Sequence, residues 1–363
     1  MAEIQLANLA HSYNPTAPTP AYALEPLDMT WSDGQTYALL GPSGCGKSTM
    51  LNIISGLLRP STGRVLFDGK DVTAKDTRAR NIAQVFQVPV IYRSMTVAQN
   101  IAFPLVCRRV PSHEIRRRVD HLAELLEMTH LLRTPAVRLT ADQKQLVSLA
   151  RGLVRDDVSA LLLDEPLTVI DPHVKFALRR KLKAINAEYR MTMVLVTHDQ
   201  NEALSFAQTV IVMNHGKVVQ AGTPQELFER PDNEYVGYFI GSPAMNFLTA
   251  HVKGDQTGLD GCDSVLGVPH DLRETDSLKL GFRPEHVDPM KGDIQLKGSV
   301  RKILFEGVDR VLEIAAGRNL FRARLDNWSG AVGDQVSLRV PAANAHWYVN
   351  GNRIGQPVTR LAP

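Results

Sequence analysis

Apolar and polar residues alternate along the first 40 positions, through Ile4, Leu6 and Leu9, again from Ala23 to Trp31, and again from Thr36 to Leu40. A period of two is the mark of half-buried strands, so this stretch predicts an antiparallel β-subdomain. Arg64 to Gly69 reads as a strand and turn, and Asn81 to Phe86 as a further strand. The pattern then changes to the helical period, and residues 96–156 read as helical throughout. Within them Ser112 to Leu132 sets Ile115, Val119, Leu122, Leu125 and Leu126 on one stripe, with Arg116, Arg117 and Arg118 largely off it. A second helix is expected from Asp142 to Val154. Ser159 to Leu163 is short and wholly apolar, as a strand covered on both faces should be. Helix Pro172 to Tyr189, strand Met191 to Val196, and a helix, strand and hairpin with its turn at Gly216 follow. From Gly241 onward short strands broken by Gly, Asp and Pro predict a small β-barrel.

With 363 residues, two domains are expected. The formal charge of +3 gives no general case for nucleic-acid binding. No apolar run is long enough to cross a bilayer, and Ala2-Glu3-Ile4-Gln5 opens no basic and apolar leader, so membrane association is expected to go through a partner. Three scattered cysteines, Cys45, Cys107 and Cys262, make neither a disulfide framework nor a zinc site, which fits a cytosolic protein.

The chemistry is concentrated in Gly41-Pro42-Ser43-Gly44-Cys45-Gly46-Lys47-Ser48-Thr49, between a strand-like run at 35–40 and a helix-like run at 50–57. Glycines at 41, 44 and 46 let backbone N–H groups turn inward around phosphate oxygens, and the helix that follows adds its positive end. Lys47 is placed to neutralise the outer phosphates and the Ser48 hydroxyl to ligate Mg²⁺, so the chain is expected to bind a nucleoside triphosphate. Tyr13, in a Pro-rich turn ahead of this loop, can stack on a purine or pack on its own hairpin. Gln87, at the end of a strand, can offer its carbonyl to the metal or to water. The apolar strand at 159–163 runs into Asp164 and Glu165: the first suits the Mg²⁺ shell, the second a general base at the γ-phosphate. His198 follows another strand and is expected on the same sheet edge, able to donate to the γ-phosphate.

These residues, in this order, resemble the ATPase subunits of ABC transporters, and more narrowly those of bacterial importers for sugars, polyols and glycerol. The resemblance makes Tyr13 the adenine-stacking aromatic, 41–49 Walker A, Gln87 the Q-loop and a metal ligand, Asp164 and Glu165 the Walker B aspartate and catalytic glutamate, 168–171 with Asp171 the D-loop, and His198 the switch histidine. It implies an α/β P-loop ATPase over residues 1–240, with a RecA-like core, an antiparallel β-subdomain and a helical subdomain at about 89–158. A C-terminal OB-like regulatory barrel is implied over 241–363, where Gly281-Phe282-Arg283-Pro284-Glu285-His286 resembles a turn of that family's regulatory domain. An oligonucleotide role for the barrel would need interleaved aromatics and cations. Phe305, Phe321 and Trp328 with Arg322 and Arg324 are expected to be its core and rim. ATP and Mg²⁺, transmembrane permeases docking at 88–92 and the helical subdomain, an indirect periplasmic solute-binding protein, no nucleic acid, and a peripheral place on the cytoplasmic face of the inner membrane are the further implications. A soluble ABC ATPase acting on ribosomes or nucleic acid, and an ATP-holding scaffold with little hydrolysis, are the alternatives.

One departure carries information. The family's Leu-Ser-Gly-Gly-Gln signature stands here as Leu139-Thr140-Ala141-Asp142-Gln143, with Leu146 where an arginine is usual. In ABC dimers this segment caps the ATP held by the other subunit. A carboxylate about 4 Å from a phosphate charge repels it by about 4 kcal/mol at an effective dielectric near 20. The milder alternative has Asp142 occupying its own helix amides. The sequence therefore suggests pairing with a second, non-identical ATPase, as in the paired ATPases of glycerol importers that it resembles.

Overall fold

The structure is a computed structural model that describes the chain apart from residues 1, 18–20, 254–255, 260, 263–265, 268–271, 273–276, 308, 327 and 358–363. By contacts it divides into residues 1–224 and 225–363.

In the first unit the elements are β1 (Ile4–His11), β2 (Leu24–Trp31), β3 (Thr36–Leu40), α1 (Lys47–Ser55), β4 (Thr62–Phe67), β5 (Lys70–Asp71), α2 (Thr77–Arg80) and β6 (Ala83–Val85). They continue with α3 (Val97–Cys107), α4 (Ser112–Leu125), α5 (Ala141–Leu153), β7 (Leu161–Asp164), α6 (Pro172–Tyr189), β8 (Met193–Thr197), α7 (Gln200–Phe206), β9 (Thr209–Asn214) and β10 (Lys217–Gly222). One sheet is antiparallel, in the order β2-β1-β4-β5; the other runs β10-β9-β3-β8-β7-β6, parallel except for β10. The expectation that 36–40 joins the antiparallel subdomain is corrected. All five β3 residues are buried, and a strand covered on both faces belongs inside a parallel sheet.

The helical stretch is also interrupted. Helix α4 stops at Leu125 rather than Leu132, where Leu126 caps it and Glu127 takes a left-handed backbone. Short 3₁₀ turns at Thr129–Leu131 and Ala136–Arg138 bridge to α5, because Pro135 offers no N–H to a continuous helix. Arg118, read as largely off the apolar stripe, is half-buried against Glu114 and Asp156, while Arg116 and Arg117 are exposed.

The second unit opens with α8 (Pro224–Glu229), whose first residue belongs to the unit before, and α9 (Glu234–Phe239). Its strands are β11 (Asn246–Lys253), β12 (Gln256–Leu259), β13 (Leu266–Gly267), β14 (Leu278–Phe282), β15 (Ile294–Glu306), β16 (Asp309–Ala316), β17 (Asn319–Leu325), β18 (Gln335–Val340), β19 (Ala345–Val349) and β20 (Asn352–Gly355). They form two antiparallel sheets, β13-β12-β11-β14-β19-β20 and β17-β16-β15-β18, around one apolar core that takes residues from both. Phe321 lies in that core and Trp328 packs against it, whereas Phe305 is 74% exposed. Arg283 is buried, and its guanidinium donates to the carbonyls of Phe228, Gly237 and Ile240 with the Phe228 ring 4.4 Å away. Burial pulls its pKa down to about 10.

His346 is buried, with Nε2 3.0 Å from the Glu229 carbonyl oxygen, and desolvation holds its pKa below the ordinary histidine value. Half-buried His286 is shifted the same way for the same reason. Unfolding frees both imidazoles to take protons near pH 6.5, so the stability they permit is complete above that value. It is lost as pH falls from there through their depressed folded values. Thermal unfolding of the full chain should show the transition of the C-terminal unit dropping below about pH 6.5. His346→Gln, which keeps a donor for Glu229, should flatten that slope.

Candidate functional site

Four neighbouring parallel strands, β3, β8, β7 and β6, end at one edge of the sheet, where open α/β folds bind ligands. The chain leaves β3 into the 41–49 loop, β8 into His198, β7 into Glu165 and β6 toward Gln87. Register does the alignment: Leu40 lies beside Thr197 and Asp164 beside Val196, and the Glu165 N–H donates to the Val196 carbonyl at 3.0 Å.

Gly46 caps the N-terminus of α1 with φ of 102°, and a Cβ there would stand 2.4 Å from the Ala23 carbonyl oxygen. Lys47 is buried, its Nζ donating to the carbonyls of Gly41 at 2.9 Å and Pro42 at 2.8 Å and lying 3.8 Å from Cys45 Sγ. Burial raises the Cys45 thiol pKa. Pro42, Ser43 and Gly44 are exposed at the mouth of the loop. The Ser48 hydroxyl donates to Asp164 Oδ1 at 3.2 Å. Burial, against the Ser48 hydrogen bond, raises the Asp164 carboxyl pKa. A hydroxyl and a carboxylate are the hard oxygen donors that Mg²⁺ takes when phosphates and water complete its shell. A bound cation would also favour the ionised Asp164. Among the described residues no group of three or more His, Cys, Asp or Glu gathers to hold a metal by protein ligands alone.

Glu165 adopts a left-handed φ of 44° and sits at the centre of the polar contacts. Its Oε1 lies 3.3 Å from His198 Nδ1, its Oε2 accepts from Gln87 Nε2 at 3.1 Å, and the Thr168 hydroxyl donates to its carbonyl at 3.1 Å. Gln87, expected among the metal ligands, lies two residues beyond the end of β6 with its amide nitrogen bonded to Glu165. Tyr13 is 68% exposed, and its hydroxyl is 3.1 Å from the Thr49 hydroxyl while its ring meets His11 edge-on at 4.7 Å. A broad ring face thus stays open beside the loop. Asp171 caps α6 by accepting the His173 N–H at 2.8 Å.

The 139–143 segment is the start of α5, with Leu139 buried and Thr140 capping. Gln143 Oε1 accepts the Thr140 N–H at 3.1 Å, and the Asp142 carboxylate accepts the Thr140 hydroxyl. Asp142 stands in the first turn of α5, where its charge suits the helix N-terminus, and the hydrogen bond its carboxylate takes is from the Thr140 hydroxyl. Two contacts were not foreseen. Thr168 closes the turn onto Glu165, legible only as a hydroxyl three residues after an acid. Buried Gln145 donates to the Phe86 carbonyl at 3.3 Å, which ties α5 to the residue before Gln87 and leaves no trace in sequence spacing.

A family model described as ABC transporter matches residues 24–168, and one described as MalK OB fold domain matches 241–287. The sn-glycerol-3-phosphate import ATP-binding protein UgpC of Yersinia pestis is 35% identical over 352 residues, covering 96% of this chain and 97% of its own. The chain belongs to the ABC transporter ATPases. The Burkholderia mallei UgpC is 34% identical across 98% of this chain and 100% of its own, and UgpC 1 of Rhizobium etli 37% across 90% and 87%. Among solved structures, cbiO1 from Clostridium perfringens, part of the ABC transporter complex cbiONQ, aligns with a TM-score of 0.56 and 31% identity over 62% of this chain and 90% of its own. A dimeric ATP-binding cassette, MJ0796, bound to ADP and Pi aligns at 0.55 and 28% identity over 61% and 98%. The present ABC transporter ATPase therefore hydrolyses ATP, with Mg²⁺, on a P-loop domain followed by an OB-fold domain of the MalK kind.

Gly46→Ala puts a Cβ against backbone in a conformation that disfavours side chains, at about 1–3 kcal/mol. Calorimetry should show ATP binding lost and differential scanning a lower unfolding temperature. Gly44→Ala, with nothing within 4 Å of its Cβ, should be milder.

Proposed function

We propose that this chain is the ATP-hydrolysing subunit of an importer for a small polyhydroxylated solute (glycerol, another polyol or a sugar), acting through partner membrane permeases and paired with a second, non-identical ATPase. The observation that carries the reading is the convergence of Lys47, Ser48, Asp164, Glu165, Gln87 and His198 on one sheet edge. Lys47 and the N–H groups of 41–49 hold the phosphates, and Tyr13 offers its open face to the adenine. Ser48 and Asp164 hold Mg²⁺, which when bound supplies charge neutralisation at the phosphate oxygens. Glu165 takes the proton of the attacking water as its carboxylate, and His198 donates to the γ-phosphate.

The names of the relatives favour a solute of this class, since the UgpC proteins are called sn-glycerol-3-phosphate import ATP-binding proteins. No helix among the described residues is long and apolar enough to cross a membrane, so permeases would supply the path, with this subunit on their cytoplasmic face. Exposed Val88, Val90 and Tyr92 offer them an apolar landing.

Pairing with a different ATPase is supported by the signature. The Thr140 hydroxyl, the group with which the segment would grip a partner's γ-phosphate, is spent on Asp142, whose charge repels that phosphate. A partner with an intact signature would complete this chain's own site, leaving the reciprocal site weak.

ATP turnover should be low for the purified chain alone and rise at least about tenfold with the partner ATPase and permeases. Full cooperative turnover by the lone homodimer would overturn the pairing. In the complex, Glu165→Gln should cut turnover by about a hundredfold or more while leaving nucleotide affinity within about twofold. Unchanged turnover would favour an ATP-holding scaffold instead.

A further inference from the structure

Glu202, on α7, is the only buried carboxylate among the described residues, 4% exposed, and nothing in the chemistry above uses it. An anion taken out of water needs strong partners to persist. It has two, from two different elements. Oε1 pairs with Lys175 Nζ at 3.1 Å, on the first turn of α6 and four residues past Asp171. Oε2 accepts the hydroxyl of buried Thr197 at 2.7 Å, at the end of β8.

Thr197 in turn accepts the N–H of Asp199 at 3.1 Å. The Thr197 side chain and the Asp199 N–H, on either side of His198, thus meet at one hydroxyl oxygen, and that hydroxyl is aimed by one carboxylate. His198 itself is exposed, with Nδ1 3.3 Å from Glu165, and among the described residues no other hydrogen bond or ion pair of its ring is seen. Its position is inherited from the turn beneath it. Lys175 stands at the far end of the same chain of contacts, on the helix that Asp171 caps, so the 168–171 turn and the His198 turn share an electrostatic tie.

We propose that Glu202 is a positioning residue for His198, holding its turn through Thr197, and that Lys175 is the counter-charge through which the 168–171 turn and α6 fix that hold. The inference rests on the role of His198 proposed above. A residue that only stabilised the fold would weaken binding and turnover together. One that aims His198 lowers the rate of the chemical step and leaves the nucleotide's grip on Lys47 and the 41–49 loop intact.

The test is steady-state ATP hydrolysis by the assembled transporter, with ATP affinity measured by calorimetry on the same preparations. Glu202→Gln, which keeps the acceptor for Thr197 but loses the charge, and Thr197→Val, which removes the hydroxyl, should each lower kcat by about tenfold with KM within about twofold. Lys175→Arg, preserving the charge, should stay near the unmodified rate, and Lys175→Met should follow Glu202→Gln. His198→Ala is run alongside. If it turns over normally, the role given to His198 is wrong. If it is impaired while Glu202→Gln and Thr197→Val both keep the unmodified kcat, the positioning role alone is overturned. Parallel loss of kcat and ATP affinity in those two variants also overturns it, in favour of a purely structural ion pair.

Discussion

Register between buried parallel strands is the constraint on which everything else depends. Strands β7 and β8 are apolar until their last residues and β3 is buried throughout, so none of these can slide without dragging apolar groups into water or polar ones into the core. One slipped residue would move Asp164 away from Ser48, break the Glu165 N–H to Val196 carbonyl bond, and take His198 out of reach of Glu165. Hydrophobic burial, which is not directional, thereby fixes polar geometry to about an ångström. The site's polar residues contribute little to holding the sheet; the sheet holds them.

Buried arginines solve a second problem in the same manner in both units. An α-helix whose N-terminus is kept free for phosphate still has orphan carbonyls at its other end. Arg80 donates to the carbonyls of Ile53 at 2.6 Å and Ile54 at 2.9 Å, the end of α1, while Gly46 opens that helix toward the loop. Arg283 does the same for Gly237 and Ile240 at the end of α9. Gly56 shows how closely the first arrangement is fitted, since a Cβ there would lie 2.8 Å from Arg80 Nε. These guanidiniums stay charged through burial because planar donors can satisfy several carbonyls at once.

Much of this was legible in the chain. Residues whose position follows from local sequence, such as Lys47 in its Gly-rich loop or Asp164 after an apolar run, are legible from their neighbours alone. What failed was whatever depends on which sheet a strand joins or where a helix gives way. The alternation at 36–40 reads as a half-buried antiparallel strand because period-two patterning does not report what covers the second face. The break after Leu125 was hidden because Leu126 and Met128 are buried and keep the apolar count up while the backbone leaves the helix. Gln87, expected to turn its carbonyl oxygen to a metal or to water, also has a partner that its type does not announce, since its amide nitrogen donates to Glu165. Side-chain amides carry a donor and an acceptor, and only the fold selects between them.

The same contact bears on how hydrolysis would be gated in the proposed mechanism. Glu165 has both oxygens engaged, one by Gln87 and the Thr168 hydroxyl at 3.4 Å, the other facing His198. A carboxylate so occupied is poorly disposed to accept a proton from water. Hydrogen bonds to a charged group are worth about 1.5–3 kcal/mol each, so losing the one from Gln87 would leave that oxygen only the longer Thr168 contact, at a cost comparable to a tenfold or hundredfold population change. Gln87 is placed to be moved: it follows Phe86, whose carbonyl is held by Gln145 of α5, and it precedes the exposed apolar residues at 88–92. A displacement of α5 or of a partner seated on 88–92 would therefore reach the Glu165 carboxylate through two covalently adjacent residues. On the proposed reading coupling would need no long pathway, because the exposed residues at 88–92 directly follow Gln87, the residue bonded to the proposed base.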